Sequence, residues 1–380
     1  MRRFLHSTMV VILFTILTGN EGFTQTGIQG NKQTGIESNE QTGIQGKTQT
    51  GKDGYDRKSA PTNRKAGEQT PTRLFRGFWD DDYWNYSGHG TDRAYTDGTR
   101  FELFYTKKRA SRFFVDRIMP KAGDSSINVF GWGLAQLMIT PEDISNPNFQ
   151  PDDYPWSGAL FATHTLYSYN EQKKYDFQTE IDLGVTGPAA LGREIQDGFH
   201  QLIHYRRPKG WDNQFGNSPW VDVKFTAEKQ LAGYLGFVEV IGGGQVTAGT
   251  GINEAAVYSL IRIGKMSPYF KGFIKQYSSA GPKKKLQFYF VFKPAVEWQI
   301  TNALFEGGMN ASQPKKGVVS KPPNEVVSYH PLNHMLYSFT FGPVLVLGRF
   351  TISSTQTSTS AWMKGLYDHT YGNISLYYAW

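Results

Sequence analysis

The sequence has 380 residues, no cysteine, and 40 basic against 33 acidic residues, which gives a formal net charge of +7. Without cysteine the chain can form no disulfide, no zinc–thiolate site and no cysteine nucleophile. The basic excess is modest and spread along the chain, so it does not indicate a nucleic-acid partner.

Aromatic residues are abundant on a polar, glycine-rich background. They make up 15% of the sequence, which also holds 41 glycines, while the mean hydropathy is −0.47. This combination is typical of β-structure, and in particular of a membrane barrel with aromatic girdles at its rims. A soluble β-sandwich would tolerate the same composition, so the strand pattern must decide between them.

The amino terminus has the pattern of an export signal. Arg2 and Arg3 precede an apolar run over residues 9–17, which is too short to span a bilayer as a helix. We therefore predict a signal peptide over 1–19, although no Ala-x-Ala pattern marks its cleavage site. Because no later run is apolar and long enough for a transmembrane helix, the exported chain is predicted to be periplasmic, secreted or an outer-membrane barrel.

A short repeat follows the signal. Starting at Gln25, the unit QTGIQGNK recurs as QTGIESNE and QTGIQGKT and then degenerates to QTGKDGYD. With one isoleucine per unit, the segment offers too little apolar surface to offset its ordering entropy. Residues 20–72 are therefore predicted to be a disordered leader that precedes the folded domain, 73–380.

From Arg73 onward the sequence alternates as strands do. Many segments are about ten residues long with apolar residues at every second position, the length of a tilted strand that crosses a bilayer. The last one is the clearest, with Ile374, Leu376, Tyr378 and Trp380 on one face. The predicted strands are 73–83, one that begins near Tyr95 and includes 100–105, 127–140, 157–169, 174–186, 221–227, 230–241, 255–264, 286–302, 326–341, 344–354 and 372–380. The fold class is therefore all-β, an outer-membrane barrel of about twelve antiparallel strands.

One segment breaks the strand rhythm. After Gly187 and Pro188, residues 189–205 carry apolar side chains at helical spacing, which predicts a short amphipathic helix in an external loop. On that helix Gln196 and His200 are four residues apart, so their side chains point the same way. Glycines weaken the helix, so we expect it to need packing against the barrel.

Topology brings this helix to the acidic stretch around Asp80. In a barrel with both termini on the periplasmic side, the first strand runs outward and carries residues 80–82 to the external end. The connections 142–153 and 187–219 reach the same end. Three separate segments are thus predicted to converge on the external rim.

Each polar residue of these three segments has both a functional interpretation and a purely structural one. His200 is placed to act as a general base on water, or it is a helix histidine bonded to a neighbouring loop; His204 lacks the same context. The Thr96 hydroxyl can bind a metal or a carbonyl oxygen, or it is an ordinary strand residue. Three adjacent aspartates, 80–82, can hold Ca²⁺, or they form a solvated turn.

Several common sites find no support. The sequence has no Gly-x-Ser-x-Gly elbow and no His-Glu-x-x-His motif. The glycine run 242–244 lacks the Lys-Ser/Thr of a phosphate loop and is interpreted as a strand kink. The basic clusters 107–109 and 283–285 are interpreted as solvated connections.

The domain after Arg73 resembles the lipid A 3′-O-deacylase family over its whole length. Single segments would be weak signals, but their order and spacing together are specific. Five segments carry the resemblance: WDDDY at 79–83, GTDRAYTDG at 90–98, GVTGP at 184–188, QDGFH at 196–200 and GWDNQ at 210–214. The resemblance implies a calcium-dependent carboxylic ester hydrolase in the outer membrane. It implies an enzyme that removes the 3′ acyloxyacyl group from lipid A of lipopolysaccharide. We expect the protein to be a monomer.

The resemblance also implies roles for individual residues. The catalytic histidine of the family falls on His200 and its helix glutamine on Gln196, while the hydroxyl of its Tyr-Thr-x-Gly element falls on Thr96. Its Asn-Asp pair falls on Asp80 and Asp81, which are then the Ca²⁺ ligands, with Asp81 also in the catalytic set. Aspartate at position 80 therefore departs from the family's more usual asparagine.

A second departure lies at 153–158, where this chain has DYPWSG and the family more usually has DRPYAG. The lost arginine at position 154 implies a difference in how lipid A phosphates are accepted. Two rival functions remain open at this stage. One is a non-enzymatic barrel such as a porin or adhesin, and the other is an outer-membrane phospholipase with a serine nucleophile.

Overall fold

The computed structural model describes residues 71–86, 93–109, 111–279, 286–309 and 329–380, so the predicted signal peptide and leader lie outside the described residues. The described part is a closed barrel of twelve antiparallel strands, which confirms the predicted fold class. Each strand pairs with its sequence neighbours and β1 pairs with β12, so the sheet has no free edge. The strands are β1 (Arg73–Asp81), β2 (Ala94–Thr106), β3 (Ile127–Thr140), β4 (Ser157–Asn170), β5 (Tyr175–Thr186), β6 (Ser218–Tyr234), β7 (Val238–Gly249), β8 (Ile252–Lys265), β9 (Gln287–Asn302), β10 (Met335–Leu347), β11 (Phe350–Thr359) and β12 (His369–Ala379).

Alternation along each strand separates a lumen face from an outer face. On β12 Leu376, Tyr378 and the following Trp380 are exposed, while Tyr377 and Ala379 between them are buried. On β1 the Arg76 guanidinium pairs with Glu102 of β2 inside the lumen. The exposed apolar row on β12 is the one that the sequence pattern predicted to face lipid.

Short helices interrupt the connections between strands. They are α1 (Phe114–Ile118), α2 (Gly192–Leu202), α3 (Phe273–Gln276) and α4 (Ala303–Glu306). Helix α2 lies inside the predicted helical segment 189–205 and is shorter than predicted. In the ranges that the structure describes, no helix is long and apolar enough to cross a membrane.

The connections gather at two ends of the barrel. One end, here called the terminus end, holds the start of β1 and the finish of β12. The opposite end, the loop end, holds the β1–β2, β3–β4 and β5–β6 connections, which are the three segments predicted to converge. The turns β4–β5, β6–β7 and β10–β11 at the terminus end are short.

The lumen is packed rather than open. Near the terminus end, Phe273 and Ile274 of α3 cluster with Leu74 and Phe104. Near the loop end, residues of α4 cluster with Ile139 and with Leu332 and Met363 from later connections. Between the two clusters lie ion pairs such as Lys224 with Glu180, whose Nζ–Oε1 distance is 3.2 Å. This filled interior differs from the water-filled lumen of a porin.

Several predicted strand boundaries are wrong, and 344–354, for example, spans the turn between the end of β10 at Leu347 and the start of β11 at Phe350. The predicted strand 230–241 spans a real turn, because β6 continues to Tyr234 and β7 begins at Val238. The predicted break after Phe341 is also absent, since β10 runs through Gly342 and Pro343 to Leu347. Gly342 has φ 157°, and a Cβ there would lie 2.1 Å from the Ser354 carbonyl oxygen. Because position 342 is a glycine, β10 can pass close to Ser354 and continue as a strand. In the sequence, Gly342 and Pro343 together suggest a turn.

Candidate functional site

The site lies on the outer face of the wall at the loop end, where β1 and β2 meet. Asp81 stands opposite Asp97 in the register, and Trp79 stands opposite Thr99. Directly opposite residues of paired strands share one face. The Trp79 indole Nε1 donates to Asp97 Oδ1 at 2.8 Å, which fixes the aspartate on this face. Two carboxylates are therefore presented side by side outside the barrel.

Thr96 reaches the same face through a β-bulge. The pairing of β2 with β3 shifts between Tyr95 and Asp97, so that Thr96 is an extra residue without a partner in the ladder. Tyr95 points into the lumen, yet the Thr96 hydroxyl bonds the hydroxyl of Thr140 on β3 and is buried. Bulges commonly re-aim a side chain beside a functional site. The bulge here leaves Thr96 out of the ladder, with its hydroxyl bonded to Thr140.

Helix α2 covers this part of the wall with its polar side. Its buried residues are Gly192, Gln196 and His200, which repeat every fourth position along one face. The Cβ of any larger residue at 192 would lie 2.6 Å from the Trp211 ring, so glycine allows the helix to press against that indole. The Phe199 ring meets the Trp79 ring edge-on at 5.7 Å between centroids.

The apolar side of α2 faces away from the barrel. Leu191, Ile195 and Ile203 are exposed, and Leu202 is 76% exposed. We expected packing against the barrel to stabilise this helix, and the face that packs is the polar one. On the outer surface of a membrane barrel, apolar side chains contact lipid instead of a core. The polar groups of α2 therefore face the wall, and the exposed side chains of Leu191, Ile195, Leu202 and Ile203 form an apolar cover over them.

His200 is buried, with 2% of its surface exposed, and its ring is held by the next segment of chain. Nδ1 hydrogen-bonds the Arg206 carbonyl oxygen, and the ring packs edge-on against Tyr205 at 5.2 Å. A carbonyl can only accept, so Nδ1 is protonated, and whenever the ring is neutral its lone pair is on Nε2. This tautomer is the one that a general base acting through Nε2 requires.

An ion pair on the solvent side holds that segment in place. Arg207 donates to both oxygens of Asp197 on α2, at 2.8 and 2.6 Å. The hydrogen bond from Arg207 holds the pKa of Asp197 below its usual range. Since Arg206 precedes Arg207, this contact keeps the carbonyl that orients His200 close to the helix.

Gln196 is oriented by a tryptophan. Trp211 Nε1 donates to Gln196 Oε1 at 2.7 Å, and both side chains are buried. An indole can only donate, so the amide oxygen must face it and Nε2 must face the other way. Among the described residues, Gln196 Nε2 has no hydrogen-bond partner. A buried amide donor without a partner is a group that can bind an oxygen of a ligand.

The structure does not bring Asp80 and Asp81 together. Asp80 points into the lumen, where it accepts hydrogen bonds from Tyr95 Oη at 3.1 Å and from Asn373 Nδ2 at 2.9 Å. Asp81 lies on the other face, and its Oδ1 accepts from the Tyr83 backbone at 2.7 Å. Adjacent strand residues point to opposite faces, so only one of the two carboxylates belongs to the site. Asp82 is buried and accepts from the Arg93 backbone at 2.9 Å.

The outer-face groups suit a hard cation in chemical type. The described residues contain no group of three His, Asp or Glu side chains placed to hold a metal. Asp81 and Asp97 nevertheless offer carboxylates on one face, and the Thr96 hydroxyl, one residue before Asp97, bonds the Thr140 hydroxyl. Ca²⁺ accepts such oxygens together with backbone carbonyls and water, so the residues present fit that ion.

Two residues of the site, Asp97 and Trp211, were not predicted from the sequence as site residues. Asp97 and Trp211 both lie in the segments that resemble the known family, yet residue type alone gives no sign of what they contact. Tyr154, at the position of the lost arginine, is buried in the loop-end cluster and donates from Oη to the Tyr367 carbonyl at 2.9 Å. Tyr154 therefore packs inside the barrel and is not part of the outer-face site.

The chain is similar to known outer-membrane proteins in sequence and in fold. The model of a family described as "Outer membrane protein LpxR" matches residues 58–380. A solved structure titled "LpxR from Salmonella typhimurium" superposes with a TM-score of 0.62 at 16% identity, covering 81% of this chain and 100% of that one. The β domain of the Bordetella autotransporter BrkA gives a TM-score of 0.37 at 9% identity, covering 82% and 99%. No curated protein sequence matches.

Proposed function

The chain belongs to the LpxR family of outer-membrane proteins, and from that premise we propose that it is a lipid A deacylase. The substrate is lipopolysaccharide, and the bond hydrolysed is the ester that joins the 3′ acyloxyacyl group to lipid A. The protein acts as a monomer at the external rim of the outer membrane. Membership of the family supports the outer-membrane location, and the residues of the candidate site support the proposed reaction.

One observation carries this proposal. His200 and Gln196 are buried on the side of α2 that packs against the outer wall, and the opposite side of the helix is apolar and exposed. An exposed apolar surface does not favour the approach of a water-soluble substrate from that side. A lipid in the same membrane can reach the site with its acyl chains against Leu191, Ile195 and Leu202 and its ester toward the polar groups.

The proposed reaction is hydrolysis by water. His200 Nε2 takes a proton from water as the water oxygen bonds to the ester carbonyl carbon. The Gln196 amide donates from Nε2 to the carbonyl oxygen, which gains negative charge in the tetrahedral intermediate. When that intermediate collapses, the ester C–O bond breaks and the leaving alkoxide takes the proton from His200. The products are the free 3′ hydroxyl and the released acyloxyacyl acid.

Calcium is part of the proposal. Asp81 would hold the ion together with Asp97, and the Thr96 hydroxyl lies beside them. When bound, Ca²⁺ supplies positive charge that favours an anionic oxygen. Asp80, named with Asp81 from the resemblance, sits in the lumen and is not proposed as a ligand.

Mass spectrometry of lipid A tests the function. Cells that express the chain are expected to contain lipid A lighter by the 3′ acyloxyacyl group, and cells with the empty vector are not. Unchanged lipid A would reject the proposal and favour a porin or adhesin, although the packed lumen is unlike a porin. Labelling by a serine-reactive fluorophosphonate would instead indicate a serine phospholipase.

A further inference from the structure

A second surface of interest lies at the terminus end, on the outside of the barrel. Helix α1, in the connection between β2 and β3, packs there rather than extending away from the protein. Its Val115 and the following Met119 contact Phe130 and Leu166 on the outer face of the wall. The surface is at the opposite end of the barrel from His200, so the catalytic site does not explain it.

A buried ionic contact fixes α1 to the wall. Asp116 accepts from His164 Nε2 at 2.7 Å and from Lys107 Nζ at 2.6 Å, and the other ring nitrogen of His164 contacts the Gly131 carbonyl. Burial opposes the charge of Asp116, but hydrogen bonds from Lys107, Ser111 and His164 outweigh it and hold the pKa of this carboxyl below its usual range. This contact holds α1 against the wall, and the charge of Lys107 is paired with that of Asp116.

The remaining cations line an open cleft. Residues 107–124 contain six basic and two acidic residues. Lys108, Arg109 and Arg112 are exposed around a cleft of about 710 Å³ beside α1. Among the described residues, none of these three pairs with a carboxylate. Arginine suits bidentate contact with a phosphate, and three such charges attract an anion strongly.

Apolar side chains project from the same helix. Phe114 is 66% exposed and Ile118 is 72% exposed, and the Phe113 ring lies against Trp132 at 6.2 Å. A helix that carries exposed apolar residues next to basic ones is typical of a segment lying in a membrane interface. Trp132 adds an aromatic of the kind that marks this depth.

We propose that this cleft binds the headgroup of an acidic phospholipid. Lys108, Arg109 and Arg112 hold its phosphate, while Phe114 and Ile118 contact its acyl chains. The connections β4–β5, β6–β7 and β10–β11 at this end are short turns, which are typical of the periplasmic side of a barrel. The leaflet on that side contains glycerophospholipids. The basic cluster 107–109, interpreted from sequence as a solvated connection, is thereby part of a lipid site.

Native mass spectrometry of the purified full chain tests this proposal. The protein is released from nanodiscs that contain phosphatidylethanolamine and phosphatidylglycerol, and the retained lipids are counted. The unchanged chain is expected to retain phosphatidylglycerol preferentially. The triple variant K108Q/R109Q/R112Q is expected to lose that preference by about tenfold or more, because these three side chains are the ones proposed to hold the lipid phosphate. A second variant, F114S/I118S, is expected to reduce retention while leaving the charges in place.

The control removes the same charge elsewhere. In K283Q/K284Q/K285Q three lysines are lost from the β8–β9 connection, and retention is expected to stay within about twofold. Equal retention by the first triple variant, or equal loss in the control, would overturn the proposal. So would full competition by soluble glycerol 3-phosphate with no effect of F114S/I118S, which would indicate a site for soluble phosphates. All variants are expected to keep deacylase activity and heat-modifiable migration, so the result does not depend on the proposed function.

Discussion

Trp211 Nε1 donates to Gln196 Oε1 at 2.7 Å, and this single contact decides which way a buried amide faces. The opposite end of that amide, Nε2, has no partner among the described residues. The arrangement resembles an oxyanion donor held ready for its ligand, since a preorganised donor needs no reorientation during the reaction.

The first prediction follows from this amide. Gln196→Ala is expected to lower kcat by ~10²-fold or more with a smaller change in KM, because removal of one such donor weakens the transition state rather than substrate binding. Trp211→Phe is expected to give a smaller loss of the same kind, since the amide remains but can rotate. Steady-state kinetics on purified lipid A measures both.

The matched control for that prediction is Gln201→Ala. Gln201 lies on the exposed side of the same helix and donates to Asp197 at 3.0 Å. It should keep nearly full activity. Equal losses at positions 196 and 201 would mean that helix stability, and not the amide donor, explains the effect.

A second prediction compares two glycines of α2. Gly192→Ala is expected to reduce activity by at least about tenfold, because its Cβ would meet the Trp211 ring at 2.6 Å and displace the helix. Gly198→Ala has open space within 4 Å, so it should keep activity and stabilise the helix by about 0.5–1 kcal/mol. Thermal unfolding and deacylation assays distinguish the two. Full activity in Gly192→Ala would show that the close approach to Trp211 is unimportant.

The third prediction concerns calcium. Chelation is expected to inhibit the wild-type enzyme reversibly. Asp81→Asn and Asp97→Asn should each raise the Ca²⁺ concentration needed for half-maximal activity, because each removes a carboxylate from the outer face. Asp80→Asn should have little effect, since Asp80 lies in the lumen with Tyr95 and Asn373. A calcium titration of activity provides the measurement. A shift for Asp80→Asn as large as that for Asp81→Asn would contradict the assignment of ligands.

The fourth prediction tests the apolar cover. Ile195→Ser combined with Leu202→Ser should slow hydrolysis of lipid A in a bilayer by several-fold, because both residues are exposed where acyl chains would lie. Hydrolysis of a short soluble ester should be nearly unchanged. Parallel assays with the two substrates decide the matter. Equal slowing of both would indicate damage to the helix itself.

The barrel and the convergence at the loop end follow from the sequence for simple reasons. Two-residue alternation fixes the faces of a strand, and chain order alone fixes the end at which each connection emerges. The same alternation predicts that Asp80 and Asp81 lie on opposite faces of β1, because neighbouring residues of a strand point to opposite sides. The resemblance to a known family had paired them instead.

Other features depended on contacts that no local pattern contains. The direction of α2 was not predictable, because amphipathic spacing does not say whether the apolar side meets a core or lipid. The role of Trp211 depends on its meeting with Gln196 across fifteen residues of chain. Likewise, Gly342 and Pro343 suggest a turn, and only their pairing with β9 shows that β10 continues through them, since the pairing with β11 skips both residues.

The most direct measurement of the central claim compares two histidines of one connection. His200→Asn and His204→Asn are assayed on purified lipid A, with folding checked by heat-modifiable migration. Asparagine at 200 can still donate to the Arg206 carbonyl, and asparagine at 204 tolerates the φ of 57° found there. We expect a loss of ~10²–10⁴-fold for His200→Asn and nearly full activity for His204→Asn. Retention of activity by a folded His200→Asn enzyme would contradict the role of His200 as the general base.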